Sequence, residues 1–197
     1  MPRWKPDAAE RLQAAALDLF DEQGFERTTI AEIAQRAGLT QRTFFNHFTD
    51  KREVLFILSA ELQQRIVQEI ATCDDTTPPL DTVVRALEAV AETVLEQRRT
   101  VTARRHAVVT ANPELHEREL SKNAALTTAI ATELHTRGHP RQTAFLAAGA
   151  AMLAQQAAFH QWTTPGETRT LSHLLTEAVH SLSTTVSNPA TRKSHQR

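Results

Sequence analysis

Helical periodicity is the feature that most constrains the fold of this sequence. Apolar residues recur at helical spacing in most segments, as Leu12, Ala16, Leu19 and Phe20 do, and the alternating β-branched runs that mark strands are absent. The chain has only five glycines and is rich in Ala, Leu, Glu, Gln and Arg, the residues that favour helix. The sequence therefore predicts an all-α fold.

Composition narrows the class of protein further. Hydrophobic residues make up 41% of the 197 residues, which is enough for a buried core. The net charge of −1 predicts weak non-specific attraction to nucleic acid, but it leaves a specific DNA site open, because a few well-placed cations suffice for one.

Cysteine, histidine and hydropathy patterns argue against several other classes. The single cysteine, Cys73, excludes an intramolecular disulfide, and it predicts either an idle thiol or a redox switch. The histidines lack metal-ligand spacing, so we expect no metal and no cofactor. No apolar stretch is long enough to span a bilayer, and the N-terminal residues lack a secretory signal. We therefore expect a cytoplasmic protein without a membrane partner.

Glycine, proline and capping residues divide the chain into predicted helices. The first covers residues 7–23 and ends at Gly24; the second opens at a Thr29–Glu32 capping box and ends at Gly38. Thr40 caps a short third helix over 41–48, and a long fourth helix runs over 51–72. Later helices are predicted over 81–98, 102–110, 113–137, 140–162 and, from a Thr164–Glu167 capping box, to residue 187.

These boundaries predict two domains and a tail. Residues 7–52 form an N-terminal domain of three helices, and residues 53–187 form a C-terminal helical domain after the junction. A polar, disordered tail is expected over 188–197.

Residues 28–48 have the pattern of a helix-turn-helix. The Gly38-Leu39-Thr40 turn joins two short helices, and Leu39 can fill the gap between them. In such a motif the second helix presents polar side chains to base edges in the major groove. The candidates for that role are Thr40, Gln41, Arg42, Thr43 and Asn46, with Phe44 and Phe48 packed inward. A glycine turn between helices also occurs without any DNA role, so the turn alone leaves both interpretations open.

Several short motifs extend this pattern in register over residues 9–56. They are Gly-Phe-x-x-Thr-Thr at 24–29, Ala-Gly-Leu-Thr at 37–40, Arg-Thr-Phe-Phe-Asn-His-Phe at 42–48 and Asp-Lys-Arg-Glu-Val-Leu at 50–55. Together they resemble the DNA-binding domain of the TetR family. The resemblance implies a helix-turn-helix domain followed by a ligand-binding and dimerisation domain, in a homodimeric repressor of a palindromic double-stranded DNA operator.

The resemblance also implies individual DNA contacts. The groove-facing residues would be Thr40, Arg42 and Thr43, and the phosphate-binding residues Thr28, Thr29, His47 and Lys51. Phe45 stands where the family often has a tyrosine whose hydroxyl contacts phosphate; phenylalanine lacks that hydroxyl, so the resemblance implies only the aromatic packing role here.

The last two predicted helices carry broad apolar faces. Two such helices from each subunit would form a four-helix bundle at a two-fold axis. The candidate interface residues are Leu153, Leu171, Leu174, Leu175, Ala178 and Leu182. The alternative is that both faces form the core of a single chain.

Arg104-Arg105-His106, followed by Asn112-Pro113-Glu114-Leu115, resembles a subgroup of the family that senses acyl-CoA-like ligands. It implies a small apolar or acyl-type effector that releases the DNA, with an arginine holding a carboxylate or phosphate. The candidate ligand-binding residues are Arg104, Arg105, His106, Phe145, Met152, Phe159 and Trp162. The simpler alternatives are that the arginines pair with Glu88, Glu92 or Glu96 and that the aromatic residues belong to the core.

The sequence thus predicts a ligand-responsive repressor rather than an enzyme. It has no Gly-rich phosphate loop, no Gly-x-Ser-x-Gly elbow and no metal motif. Ligand binding would shift the dimer away from the conformation in which both reader helices fit half-sites at least ~34 Å apart, with the fourth helix as the link. An activator and a helical interaction protein that does not bind DNA remain alternatives.

Overall fold

The computed structural model describes residues 8–187, and the predicted polar tail, residues 188–197, lies outside them. Within the described range every regular element is helical and there is no strand, which confirms the all-α prediction. None of these helices is long and apolar enough to cross a membrane.

The helices largely follow the predicted order. They are α1 (Ala8–Gln23), α2 (Ile30–Arg36), α3 (Gln41–His47), α4 (Ser59–Thr72), α5 (Pro79–Val90), α6 (Arg99–Ala111), α7 (Pro113–Thr136), α8 (Arg141–Trp162) and α9 (Leu171–Ser187). A 3-10 helix (Arg52–Phe56) precedes α4, and a π-helical turn (Ala91–Leu95) and a 3-10 turn (Glu96–Arg98) follow α5.

The described residues form two compact units. The first contains the residues up to Gln64 together with Arg98–Ala124, and the second contains Arg65–Gln97 together with the residues from Ala125 onward. The compact unit around α1 to α3 is therefore larger than the predicted domain of residues 7–52, because α6 and the start of α7 pack into it.

One hydrophobic core holds the first unit together. Leu12 and Leu17 of α1, Ile33 of α2 and Phe44 of α3 are fully buried in it, and Val109 of α6 joins them. Burial of side chains this large stabilises the unit by about 1.5–3 kcal/mol each. The inner faces of the three N-terminal helices are thus fixed, and the outer face of α3 is placed by that packing.

The predicted single helix over 51–72 is wrong. Residues Arg52–Phe56 form a 3-10 helix, and α4 begins only at Ser59. The consecutive residues Val54, Leu55 and Phe56 are all buried, whereas an α-helix with one apolar stripe turns its third consecutive residue away from the first. Because all three side chains are buried, the segment is a 3-10 helix here and the α-helix begins only after it.

The second unit is built on α5, α8 and α9. Alanines on the inner face of α8, such as Ala148 and Ala151, are fully buried beside Met152 and Trp162. Leu171, Leu174 and Leu175 of α9 are buried with them. The predicted helix over 81–98 is an α-helix only as far as Val90, and the π-helical and 3-10 turns follow it. In the 3-10 turn, Glu96 Oε1 accepts a hydrogen bond from the backbone N–H of Leu171 at 2.6 Å.

The last helix starts later than predicted. The predicted cap at Thr164 is wrong: α9 begins at Leu171, and Thr170 Oγ1 accepts a hydrogen bond from the N–H of His173 at 3.2 Å. Glu167 instead accepts hydrogen bonds from the guanidinium and the backbone N–H of Arg169. These bonds lower the pKa of Glu167 to about 2.

Candidate nucleic-acid interface

The start of α2 is fixed by a capping box, as predicted. Thr29 Oγ1 accepts a hydrogen bond from the N–H of Glu32 at 3.2 Å, and Glu32 Oε2 accepts one from the N–H of Thr29 at 2.8 Å. The hydrogen bonds from Thr29 lower the pKa of Glu32. Thr29 remains exposed, but its hydroxyl donates to the same carboxylate.

The turn between α2 and α3 requires glycine. Gly38 has φ +65°, a left-handed conformation that side chains disfavour, and a Cβ there would lie 3.2 Å from the guanidinium of Arg11. That guanidinium donates to the carbonyl of Ala37. The N–H of Leu39 then donates a hydrogen bond to the carbonyl of Ala34 at 2.8 Å. This bond helps to fix the direction in which the chain enters α3.

α3 is held from its inner side, which confirms the predicted inward packing. Phe44 is fully buried and its ring contacts that of the buried Phe48 at 5.3 Å between centroids. Thr40 caps the helix by accepting a hydrogen bond from the N–H of Thr43 at 3.1 Å, and the two hydroxyls lie 2.9 Å apart. A seven-residue helix fixed at its cap and core presents its other face in one orientation.

The outer face of α3 is exposed and, apart from Phe45, polar. It carries Gln41, Arg42, Phe45, Asn46 and His47. Within residues 8–187, the side chains of Gln41, Arg42 and Asn46 make no hydrogen bond or ion pair, whereas Arg36 pairs with Glu22 at 2.7 Å. Arg42 is thus available to an external acceptor.

Two of the predicted phosphate-binding residues, Thr28 and Lys51, make hydrogen bonds within the chain. Thr28 is only 2% exposed and its hydroxyl donates to the carbonyl of Gly24 at 2.9 Å. Lys51 Nζ donates to the carbonyls of Phe25 at 2.6 Å and Thr28 at 3.0 Å. Both side chains thus make hydrogen bonds within the turn between α1 and α2. The resemblance gave their positions but not these internal hydrogen bonds.

The arginines predicted to bind a ligand are engaged within the first unit. Arg104 pairs with Asp18 and Asp21 of α1 at 2.8 and 2.7 Å, and these hydrogen bonds raise its pKa. Arg105 donates to the carbonyl of Leu55 at 2.9 Å and pairs with Glu119.

The predicted partners Glu88, Glu92 and Glu96 are wrong for both arginines. Glu88 and Glu96 accept hydrogen bonds from residues of α9 instead. The arginines therefore attach α6 to its own unit.

The predicted ligand-binding residues are divided between the two compact units. Arg104, Arg105 and His106 belong to the first unit, and Phe145, Met152, Phe159 and Trp162 belong to the second. Within the second unit, Met152 and Trp162 are buried, and the Phe159 ring packs on Trp162 at 5.7 Å between centroids. Phe145, by contrast, is exposed.

The predicted dimer residues separate into an inner and an outer set. Leu171, Leu174 and Leu175 are buried within the chain, so the alternative of an intramolecular core is correct for them. Ala178 and Leu182 are half-buried, and Leu153 is 57% exposed. Phe145 and Leu146 share the exposed face of α8 with Leu153. Sequence reasoning missed Leu146, because α8 is apolar nearly all round and its pattern does not separate the two faces.

Sequence reasoning also missed Gln155 in α8. Its Oε1 is buried and accepts no hydrogen bond from the described part of the chain. Met152 and Phe159, one turn before and after it, lie on the same side of the helix. The amide oxygen is therefore a buried acceptor on a side of α8 that also carries these two apolar residues.

A core-anchored helix-turn-helix with a polar exposed face on its second helix defines a DNA-binding regulatory protein. Comparison with known proteins gives the family. The family model described as "Bacterial regulatory proteins, tetR family" matches residues 12–57, and that of the TetR-type "MftR C-terminal domain" matches residues 77–187. The chain belongs to the TetR family of bacterial transcriptional regulators.

Individual relatives agree with this assignment. The HTH-type transcriptional regulator TcmR of Streptomyces glaucescens is 32% identical over 81 residues, which cover 41% of this chain and 36% of TcmR. The chain thus matches little more than a third of that relative's length.

Two solved structures share the fold. SmeT of Stenotrophomonas maltophilia, in complex with triclosan, superposes with a TM-score of 0.62 at 18% identity. The aligned region covers 91% of this chain and 91% of SmeT. The Thermus thermophilus repressor FadR, in complex with lauroyl-CoA, superposes with a TM-score of 0.55 at 21% identity. The aligned region covers 96% of this chain and 98% of the FadR chain.

Proposed function

We propose that this regulator is a repressor that binds a palindromic operator as a homodimer and is released by a small apolar or acyl-type ligand. The observation that carries the proposal is the outer face of α3, where Gln41, Arg42 and Asn46 are exposed and make no hydrogen bond within residues 8–187. Their backbone is fixed by Phe44 and Thr40, so these side chains are presented without rearrangement.

Base reading follows from the chemistry of these groups. An arginine binds the O6 and N7 acceptors of guanine, and an asparagine or glutamine binds the N6 and N7 edge of adenine, each for about 1–3 kcal/mol of discrimination. Of the three side chains Gln41, Arg42 and Asn46, only that of Arg42 carries a permanent positive charge. Specific binding should therefore depend most strongly on a guanine opposite Arg42.

The homodimer is supported by the exposed face of α8. Phe145, Leu146 and Leu153 are each more than half exposed, and large apolar side chains grouped on one helix face usually mark a binding surface. A second copy of the same face would cover it, with α9 completing a four-helix bundle about a two-fold axis. A symmetric dimer carries two copies of α3, and this favours a palindromic operator.

Ligand binding is assigned to the second unit. The buried Met152 lies one turn before Gln155, whose amide oxygen is buried and accepts no hydrogen bond from the described part of the chain, an arrangement suited to an apolar molecule with one hydrogen-bond donor. The related folds of SmeT and FadR hold triclosan and lauroyl-CoA, respectively. Release requires that the ligand bind more tightly to a dimer conformation whose α3 helices no longer match successive major grooves.

Selection of bound duplexes from a random DNA pool, at low and moderate salt, tests the core of this proposal. We expect enrichment of an inverted repeat with half-sites about 34 Å apart or a multiple of it. Enrichment of a single half-site would overturn the dimeric mode, and no enrichment at either salt would overturn sequence-specific binding. Lauroyl-CoA and triclosan, added to the enriched duplex, are the first probes of release, because they represent the two effector types.

A further inference from the structure

We propose that Phe45 reads the 5-methyl group of a thymine in the operator, so that the specificity of α3 has an apolar component. The inference rests on the proposed DNA-binding function and names part of the sequence that α3 recognises. It assigns a positive role to the position where the sequence departs from the usual tyrosine of its family.

Phe45 is the exposed large apolar side chain on the outer face of α3. Its side chain is 55% exposed, although it lies on a face whose other members are polar. Its ring meets the buried ring of Phe44 edge to face, with centroids 5.7 Å apart and planes at 82°. The contact with a fixed neighbour limits the positions of the Phe45 ring, so the apolar surface that it offers is well defined.

The chemistry of the ring selects its partner. A phenylalanine ring has no hydroxyl with which to bond a phosphate oxygen or a base acceptor. Among the base edges of the major groove, the thymine C5-methyl is the apolar group, and phenylalanine is one of the residues that contacts it. Against the charged phosphates the ring would displace water without any compensating bond. The methyl group is therefore the partner that this side chain fits best.

The position of Phe45 in α3 predicts where the thymine lies relative to the base that Arg42 contacts. Phe45 follows Arg42 by three residues and Gln41 by four, so all three lie on neighbouring positions of one face. Three residues of α-helix rise ~4.5 Å, while successive base pairs are ~3.4 Å apart. The thymine should then lie one or two base pairs from the base that Arg42 contacts.

Replacement of thymine by uracil tests the inference, because it removes one methyl group and keeps the base pairing. Each thymine of the selected operator is replaced in turn, symmetrically in both half-sites, and the affinity of the full-length protein is measured. Loss of a methyl contact should weaken wild-type binding about fourfold per half-site at one position. Phe45→Ala should bind thymine and uracil duplexes equally at that position.

The matched control is Val101→Ala, which also removes exposed apolar surface from the first unit but from α6. It should retain the full preference for thymine at the sensitive position. Thermal unfolding of each variant checks that Phe45→Ala leaves the fold intact.

The outcomes separate the two proposals. If an operator is enriched but no thymine shows coupling to Phe45, the ring packs against the sugar-phosphate backbone or makes no contact, and the present inference is overturned alone. If no operator is enriched, both proposals fail. A uracil effect that persists in Phe45→Ala assigns the methyl contact to another residue and also overturns the inference.

Discussion

Lys51 lies over the ring of Phe25, with Nζ 4.1 Å from the ring centroid and 2.6 Å from the Phe25 carbonyl oxygen. The same ammonium group donates to the carbonyl of Thr28. A residue that the family resemblance assigns to phosphate therefore serves as an internal clamp on the turn before α2. The turn fixes where α2 begins, so these hydrogen bonds help to hold α2 in position within the helix-turn-helix.

We predict that Lys51→Met lowers the free energy of unfolding by about 1.5–3 kcal/mol, because hydrogen bonds from a charged donor to partly buried carbonyls are lost. Methionine retains much of the apolar stem over Phe25. Urea denaturation measures the change. The slope of log affinity against log salt for DNA should stay at the wild-type value, whereas loss of a phosphate contact would reduce its magnitude by about 0.9 for each subunit, or about 1.8 for the proposed dimer. A reduced slope with unchanged stability would restore the phosphate assignment.

Local signals predicted the first unit well. The Thr29–Glu32 capping box, the Gly38 turn and the Thr40 cap each depend on residues within one turn of chain, and all three have the expected geometry. The break between Phe56 and Ser59 was missed because it depends on burial of three consecutive side chains. Such burial requires neighbours that are distant in sequence.

The candidate site was only partly predictable for the same reason. Sequence indicates which residues lie on α3, but the internal partners of Lys51 and Arg104 come from elements distant in sequence. In α8 the apolar residues surround the helix, so the division between buried Met152 and exposed Leu153 is set by packing. Tertiary contacts, rather than local pattern, decided each of these cases.

Arg42→Ala should weaken binding to the selected operator by about tenfold to a hundredfold per half-site, the range expected for loss of a bidentate contact to guanine. Its exposed side chain makes no hydrogen bond within the described residues, so the fold should be unaffected. Competition against random-sequence DNA measures the loss of specificity. Arg85→Ala, at an exposed position of α5, is the control and should bind as wild type does. Equal operator affinity for Arg42→Ala and wild type would exclude α3 as the base-reading element.

Gln155→Met should raise the free energy of unfolding of the ligand-free protein by about 1 kcal/mol. The replacement removes a buried acceptor that has no partner in the described chain and keeps a similar volume. The same change should weaken any effector that donates a hydrogen bond to the amide oxygen. Thermal unfolding with and without the effector measures both results, and a variant less stable than wild type would contradict the buried-acceptor argument.

Asp50 should make the first unit sensitive to acid. Partial burial opposes ionisation, but hydrogen bonds from the Arg52 side chain and from the N–H groups of Arg52 and Glu53 outweigh it and lower the pKa of Asp50. A lowered carboxyl pKa contributes stability that is present above the unfolded value of about 3.9 and is lost as the pH falls through the folded value. Asp50→Asn should therefore flatten the loss of stability below about pH 4. Identical acid-denaturation curves would exclude this contribution.

Leu153→Glu should convert the dimer to monomers. Leu153 is 57% exposed on α8, and a two-fold contact would bring the introduced carboxylates together on both copies of a largely apolar surface. Leu120→Glu is the matched control, because Leu120 is 51% exposed on α7 in the first unit. Sedimentation equilibrium should report a dimer for wild type and Leu120→Glu and a monomer for Leu153→Glu. Operator affinity should fall with the loss of the dimer, since one α3 then meets only one half-site; a dimeric Leu153→Glu would place the interface on another surface.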